Sequence, residues 1–283
     1  MARDVRGEQL KTPAAAFADL KLACRLELAD AWFKRSYAEA QARLGPEPGT
    51  AVEPVAGGYA VYVGRGSPLS RAVGLGMSGP VTPEELQGVE QFYHSRGSVA
   101  RVELCPLADR SLLDWLNQKG YHLEGFKNVW VRPLSRGESF PSPHPGMRVR
   151  AAERSEAELW IRTVSQGFLE RDAVTPEDVQ IPTPSFHMST ATCFLAWIGD
   201  ELAGGGAMAV YRGLASFFSA STRPAFRRRG VQTALLHARL AAAAEAGCDL
   251  ATVQTAPGDA SQRNVERSGF RLAYTKLAMV REP

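Results

Sequence analysis

Apolar residues recur at helical spacing from residue 13 to residue 44, and the pattern closes at Gly45-Pro46. Shorter runs follow. "YAVYVG" (59–64) and "AVGLGM" (72–77) predict strands. "TPEELQGVEQFYHSRG" predicts a helix, with Thr82 as N-cap, Pro83 in the first turn and Glu85 at the capping-box position. "SVARVELCP" predicts another strand. Beyond residue 146 the pattern starts again. A helix over 155–169 has Ser155 as its N-cap, and "ATCFLAWIGDELAGGGAMAVY" (191–211) reads as a hairpin turning at Gly199-Asp200. "LASFFSAST" (214–222) is a strand, an Ala- and Leu-rich helix covers 231–246 and ends at Gly247, and "DLATVQTA" (249–256) is a strand.

The two halves end alike. Each has a Pro, an Asp, a Ser opening a short amphipathic helix, a Gly-aromatic stop (Gly120-Tyr121, Gly269-Phe270) and a final apolar strand carrying Arg132 or Arg281. The ordered series reads as one module used twice. Between the halves, "PLSRGESFPSPHPG" (133–146) is proline-rich and aperiodic, as a semi-rigid connector is. The expected division is a flexible N-terminus at 1–12, a first domain at 13–135, a linker at 136–146 and a second domain at 147–283.

Composition narrows the class. The chain has 283 residues, 45% hydrophobic and 22% charged, which fits globular domains and not disorder. A net charge of +3 is too small to argue for nucleic acid by itself. Cys24, Cys105, Cys193 and Cys248 form no close pair, and the five histidines show no ligand spacing, so no metal is assigned. The opening "MARDVRGEQLKTP" has no apolar core, and no run reaches membrane-span length. The expectation is a cytoplasmic protein with reduced thiols and no membrane partner.

The chemistry is carried by "PAFRRRGVQTALLHARL" (224–240), a strand-to-helix turn. A helix start has unpaired N–H groups and a partial positive charge, Gly230 has no Cβ to hold an anion off, and Arg227, Arg228 and Arg229 add charge. Such a turn suits a phosphate or pyrophosphate, although a basic surface turn has the same composition. "GGGAMA" fits a dinucleotide fingerprint in letters only, since strand residues follow it where a helix should.

The arginine turn resembles the acyl-CoA-binding motif of the GCN5-related N-acetyltransferases, R/Q-x-x-G-x-G/A, here Arg227-x-x-Gly230-x-Gln232, with Gln232 in place of the usual small residue. Pro224 before it and "SGF" (268–270) after it match the family's layout. The resemblance implies an α/β fold of two tandem GNAT-like domains, each a mixed central sheet flanked by helices, with strands splayed at the acyl-CoA site of the C-terminal half. It implies that acetyl-CoA is held by Ala220, Ser221 and Thr222 on the strand, by residues 227–233 (Arg227, Arg228, Arg229, Gly230, Val231, Gln232, Thr233) at the turn, and by Ser261 and Asn264 on the last helix. The family's frequent general-acid Tyr falls on Val265, which has no proton to give. In the first half, Glu84 and Glu85 stand at the corresponding helix start and would repel phosphate, so that half is expected to be a degenerate copy.

The expected activity is transfer of an acetyl group from acetyl-CoA to a primary amine by direct attack, with the backbone N–H near Thr222 holding the oxyanion. The loop 168–190, in the region that covers the acceptor in this family, offers Glu170 and His187 as base or relay. Two other readings use the same residues. One is a non-catalytic acyl-CoA sensor, and the other is a nucleic-acid patch at Arg227–Arg229, which would bind with a steep salt dependence.

Overall fold

The structure, a computed structural model, describes residues 18–45 and 49–282. The expected 1–12 tail, residues 13–17 of the first helix pattern and Pro46 lie outside the described residues. The first half runs α1 (Leu20–Leu44), β1 (Ala51–Val55), β2 (Gly58–Tyr62), β3 (Arg71–Val73), α2 (Pro83–His94), β4 (Ala100–Leu104), α3 (Arg110–Gln118) and β5 (His122–Pro133). The second runs β6 (Met147–Ala151), α4 (Ala157–Leu169), α5 (Pro182–His187), β7 (Ala191–Ile198), β8 (Glu201–Tyr211), β9 (Leu214–Thr222), α6 (Val231–Glu245), β10 (Leu250–Thr255), α7 (Ala260–Arg267) and β11 (Arg271–Arg281).

All eleven strands join one mixed sheet in the order β1-β2-β3-β4-β11-β5-β10-β9-β8-β7-β6. The last strand of each half lies in the other half's part of the sheet. β11 pairs antiparallel with β4, and β5 pairs antiparallel with β10. The two exchanged strands pair with each other at the centre. Their arginines follow them across. Arg132 on β5 donates to Ser268 O at 3.0 Å, and Arg281 on β11 pairs with Glu90 on α2 at 2.5 Å. The mixed sheet and its flanking helices agree with the expected fold class, and the exchange is why the halves share one sheet.

Neighbouring glycines on β8 show how the helices are layered. A Cβ on Gly205 would meet Val164 and Trp160 of α4, whereas one on Gly206 would meet Arg239 of α6. Successive strand residues face opposite sides, so α4 and α6 cover opposite faces. The glycine run therefore lets two helices approach one strand closely. The main apolar cluster lies between α6 and the sheet, around Leu235, Leu240, Phe217 and Phe270.

Several local expectations need correction. "AVGLGM" is a strand only to Val73, because Gly74 and Gly76 take φ of 73° and 70° and turn the chain. Asp109 and Asp259 cap α3 and α7, and the serines two residues on lie in the first turns. Ser155 is not a cap, since a short 3-10 turn precedes α4 and Glu156 accepts from the Glu153 N–H at 2.8 Å. The loop after α4 contains α5 and a 3-10 turn at Glu177–Val179. The repeat's Gly-aromatic stops do match: the Tyr121 and Phe270 N–H groups reach back to Leu116 O and Val265 O, with Gly120 and Gly269 left-handed between them. Among the described residues no helix is long and apolar enough to cross a membrane.

Candidate functional site

β9 and β10 run parallel and pair from Leu214↔Leu250 to Phe217↔Val253. Pairing stops there, although β9 continues to Thr222 and β10 to Thr255. A bulge marks the parting. Between the pairs Gly205↔Ser221 and Ala207↔Phe218, β9 has one residue more than β8, and Ser219 takes φ +49°. The Arg223 N–H donates to Ala203 O across β8, so the Thr222 N–H, one residue earlier, points to the edge that β10 has left.

The gap opens into a cleft of two joined hollows, of about 490 and 870 Å³. Phe168, Ala220, Gln232, Asp259, Ser261 and Asn264 line both. The outer hollow ends at the arginine turn. Phe226 is buried as the anchor, Arg228 takes φ +60° and Gly230 takes φ +83°. Gly230 is the N-cap of α6 and, among the described residues, no side chain caps the helix; the Ala234 N–H makes the first bond back, to Gly230 O. The N–H groups ahead of it are free to meet an anion in the cleft.

The corresponding helix start in the first half is closed. Thr82 Oγ1 accepts from the Glu85 N–H at 3.2 Å, and Glu85 accepts from the Thr82 N–H at 2.8 Å. There the chain's own carboxylate occupies the place of an anion.

Most of the expected site residues meet in this cleft: Ala220, Ser221, Thr222, Arg227, Arg228, Gly230, Val231, Gln232, Thr233, Ser261 and Asn264. Gln232 turns back along the strand, donating to Thr222 Oγ1 at 3.0 Å. Ser221 Oγ is committed to Val164 O at 2.9 Å, with α4 brought close by Gly167. Arg227 ties the turn to α4, bonding Gly167 O at 3.2 Å and Glu170 at 3.0 Å. Arg228 makes no ion pair among the described residues, while Arg229 lies over the Phe226 ring and outside the cleft wall. Glu170 sits at the outer lip, and the Arg227 guanidinium holds its carboxyl below the usual range. His187, the last residue of α5, is exposed and borders a separate hollow.

Sequence reasoning missed three contributors to the inner hollow. Phe126 and Lys127 come from β5, brought there by the strand exchange. Lys127 pairs with Glu103 at 2.5 Å, and burial pulls its pKa down. The third, Arg239, was visible as a lone charge at a core-spaced position beside Leu235, Leu236 and Leu240.

Residues 157–270 match the model of the acetyltransferase (GNAT) family. No curated protein matches the chain. The fold is similar to that of a GCN5-related N-acetyltransferase from Kribbella flavida, at a TM-score of 0.63 and 15% identity, covering 89% of this chain and 95% of that one. It is also similar to a tandem GNAT protein from the clavulanic acid biosynthesis pathway, at a TM-score of 0.57 and 15% identity, covering 86% of each chain. A GCN5-related N-acetyltransferase from Sphaerobacter thermophilus aligns at a TM-score of 0.54 and 17% identity, over 70% of this chain and 67% of that one.

Proposed function

We propose that the chain is an acyl-CoA-dependent N-acyltransferase, with acetyl-CoA as its simplest donor and a primary amine as its acceptor. One observation carries the reading. A single cleft runs from the uncapped start of α6 to the parting of β9 and β10. The pyrophosphate binds at the Gly230 turn, with Arg228 beside it. The pantetheine arm lies along the free edge of β9, where the Thr222 N–H is available. The first half binds no CoA, because Glu85 fills its helix start.

The neutral amine nitrogen attacks the thioester carbonyl, the adduct's nitrogen gives up its extra proton to water, the C–S bond breaks, and the thiolate leaves as the amide forms. Backbone N–H groups near the β9 bulge and Thr222 hold the oxyanion. Val265 is 3% exposed and packs in the core, so the position of the family's frequent Tyr offers no acid. Glu170 is a weak base while Arg227 holds it ionised, and His187 stands away from the cleft. The amine must therefore shed its proton to water before it attacks.

Thiol release from acetyl-CoA, followed across a panel of amines and between pH 6 and 9, tests this. The expected kcat/KM rises with pH throughout, because an alkylammonium has a pKa near ~10, and Glu170→Gln leaves the profile in place. Tight CoA binding with no thiol release for any amine would favour the sensor reading. A bell-shaped profile would reveal an acid in the cleft.

A further inference from the structure

Arg239 is the unusual residue of the inner hollow. It is 3% exposed, yet among the described residues no carboxylate lies within ion-pair distance. Its Nε donates to Leu235 O of its own helix at 3.0 Å, and one Nη donates to Ala207 O at 3.3 Å. The guanidinium carbon lies 4.9 Å from the centre of the Phe217 ring and so close to Gly206 that a Cβ there would meet it at 3.4 Å, beside the bulge. Buried cations are normally paired, and a Met or Leu would fill the same space without the desolvation cost. Burial pulls its pKa down to about 9, so it is still charged at neutral pH.

The cofactor's phosphates do not explain this charge. Gly230 is nine residues earlier on α6, about 13 Å along the helix axis. That distance suits the far end of a pantetheine arm laid between the turn and the bulge. Arg239 also lies on the α6 face of the sheet, with β8 and β9 between it and the α4 face that carries loop 170–190. An anion reaching it belongs to the acyl group rather than to the amine.

We propose that Arg239 is the receptor for a carboxylate at the end of the donor's acyl chain, so that this site prefers the CoA thioester of a short dicarboxylic acid over acetyl-CoA. This rests on the acyl-CoA reading of the cleft. Its other Nη makes no hydrogen bond among the described residues and is available for a charge-assisted bond to a carboxylate, and Leu236, Val253 and Thr255 line the same hollow.

Titration calorimetry on the full chain decides the matter with two stable thioethers of equal size. One is S-(2-carboxyethyl)-CoA, and the other is S-(3-oxobutyl)-CoA, in which a methyl replaces one carboxylate oxygen. The wild type should bind the carboxylate at least tenfold more tightly. Arg239→Met should remove that preference and leave the neutral thioether's affinity within twofold. Equal binding of both by the wild type overturns the carboxylate receptor while leaving the CoA site standing, and it needs no variant to fold. A preference that survives Arg239→Met also overturns it. If neither thioether binds, the acyl-CoA reading fails and takes this proposal with it.

Discussion

Gly230 and Arg228 do different work in the turn. Gly230 takes φ +83°, where a β-branched side chain is strained, and it stands where an anion must approach. Arg228 is exposed and unpaired among the described residues, so its charge is available to a phosphate. Arg228→Ala should weaken acetyl-CoA binding by roughly 1.5–3 kcal/mol, the worth of a charge-assisted hydrogen bond, and Gly230→Val should do worse. Calorimetry showing unchanged affinity in both variants would remove the phosphate cradle. At this scale the turn was legible because a motif of three arginines and a glycine is local. Arg239 was passed over because the helix pattern alone does not say which face of α6 meets the sheet. Lys127 and Phe126 were invisible, since a strand exchange over more than a hundred residues leaves no local mark.

At the scale of elements, the contrast is between two helix starts. α2 is closed by its own capping box, whereas α6 begins without a side-chain cap. The capping box was readable as Thr82, Pro83 and Glu85, because it depends on spacing alone. The short helix after α4 was not, since its two prolines read as loop. The caps of α3 and α7 were not assigned for a related reason: Asp and Ser both serve as caps, and the fold uses the Asp. One open start and one closed start lead to a stoichiometry. Native mass spectrometry should find one CoA per chain at saturation, and a second occupied site would contradict the reading of α2.

The whole molecule is held at its centre by a buried ionic cluster. Lys276 on β11 meets Glu27 at 2.9 Å, Asp30 at 2.8 Å and Glu103 at 3.1 Å, and it stands directly opposite Lys127 on β5. Lys34 and Arg71 also reach Glu103. The cluster joins α1 and the first half's β3 and β4 to the second half's last strand. Together with the exchange, it should make the two halves unfold as one, with equal calorimetric and van't Hoff enthalpies. Two separate transitions would contradict that coupling. Lys276→Met strands three carboxylates and should cost about 3–5 kcal/mol. Acid acts on the same groups. Burial favours the neutral form of Asp30, but Lys276 and Lys34 outweigh it and lower its pKa from 3.8 to about 2; the surrounding cations likewise hold Glu103 well below its ordinary value. Folded-state values below the unfolded ones mean that this stabilisation is complete above about pH 4 and is lost as the pH falls toward 2. Glu27, raised by burial, works in the opposite sense and is outnumbered.

Hydrogen exchange on the full chain, with and without saturating acetyl-CoA, reads the backbone N–H groups that would hold the cofactor in this cleft. The predicted result is new protection confined to the free edge of β9 and the start of α6, residues 219–233, and to the first turn of α7, with none at residues 74–86. Protection at 74–86, or no change at 228–233, would contradict a second-half cleft that holds CoA through the Gly230 turn.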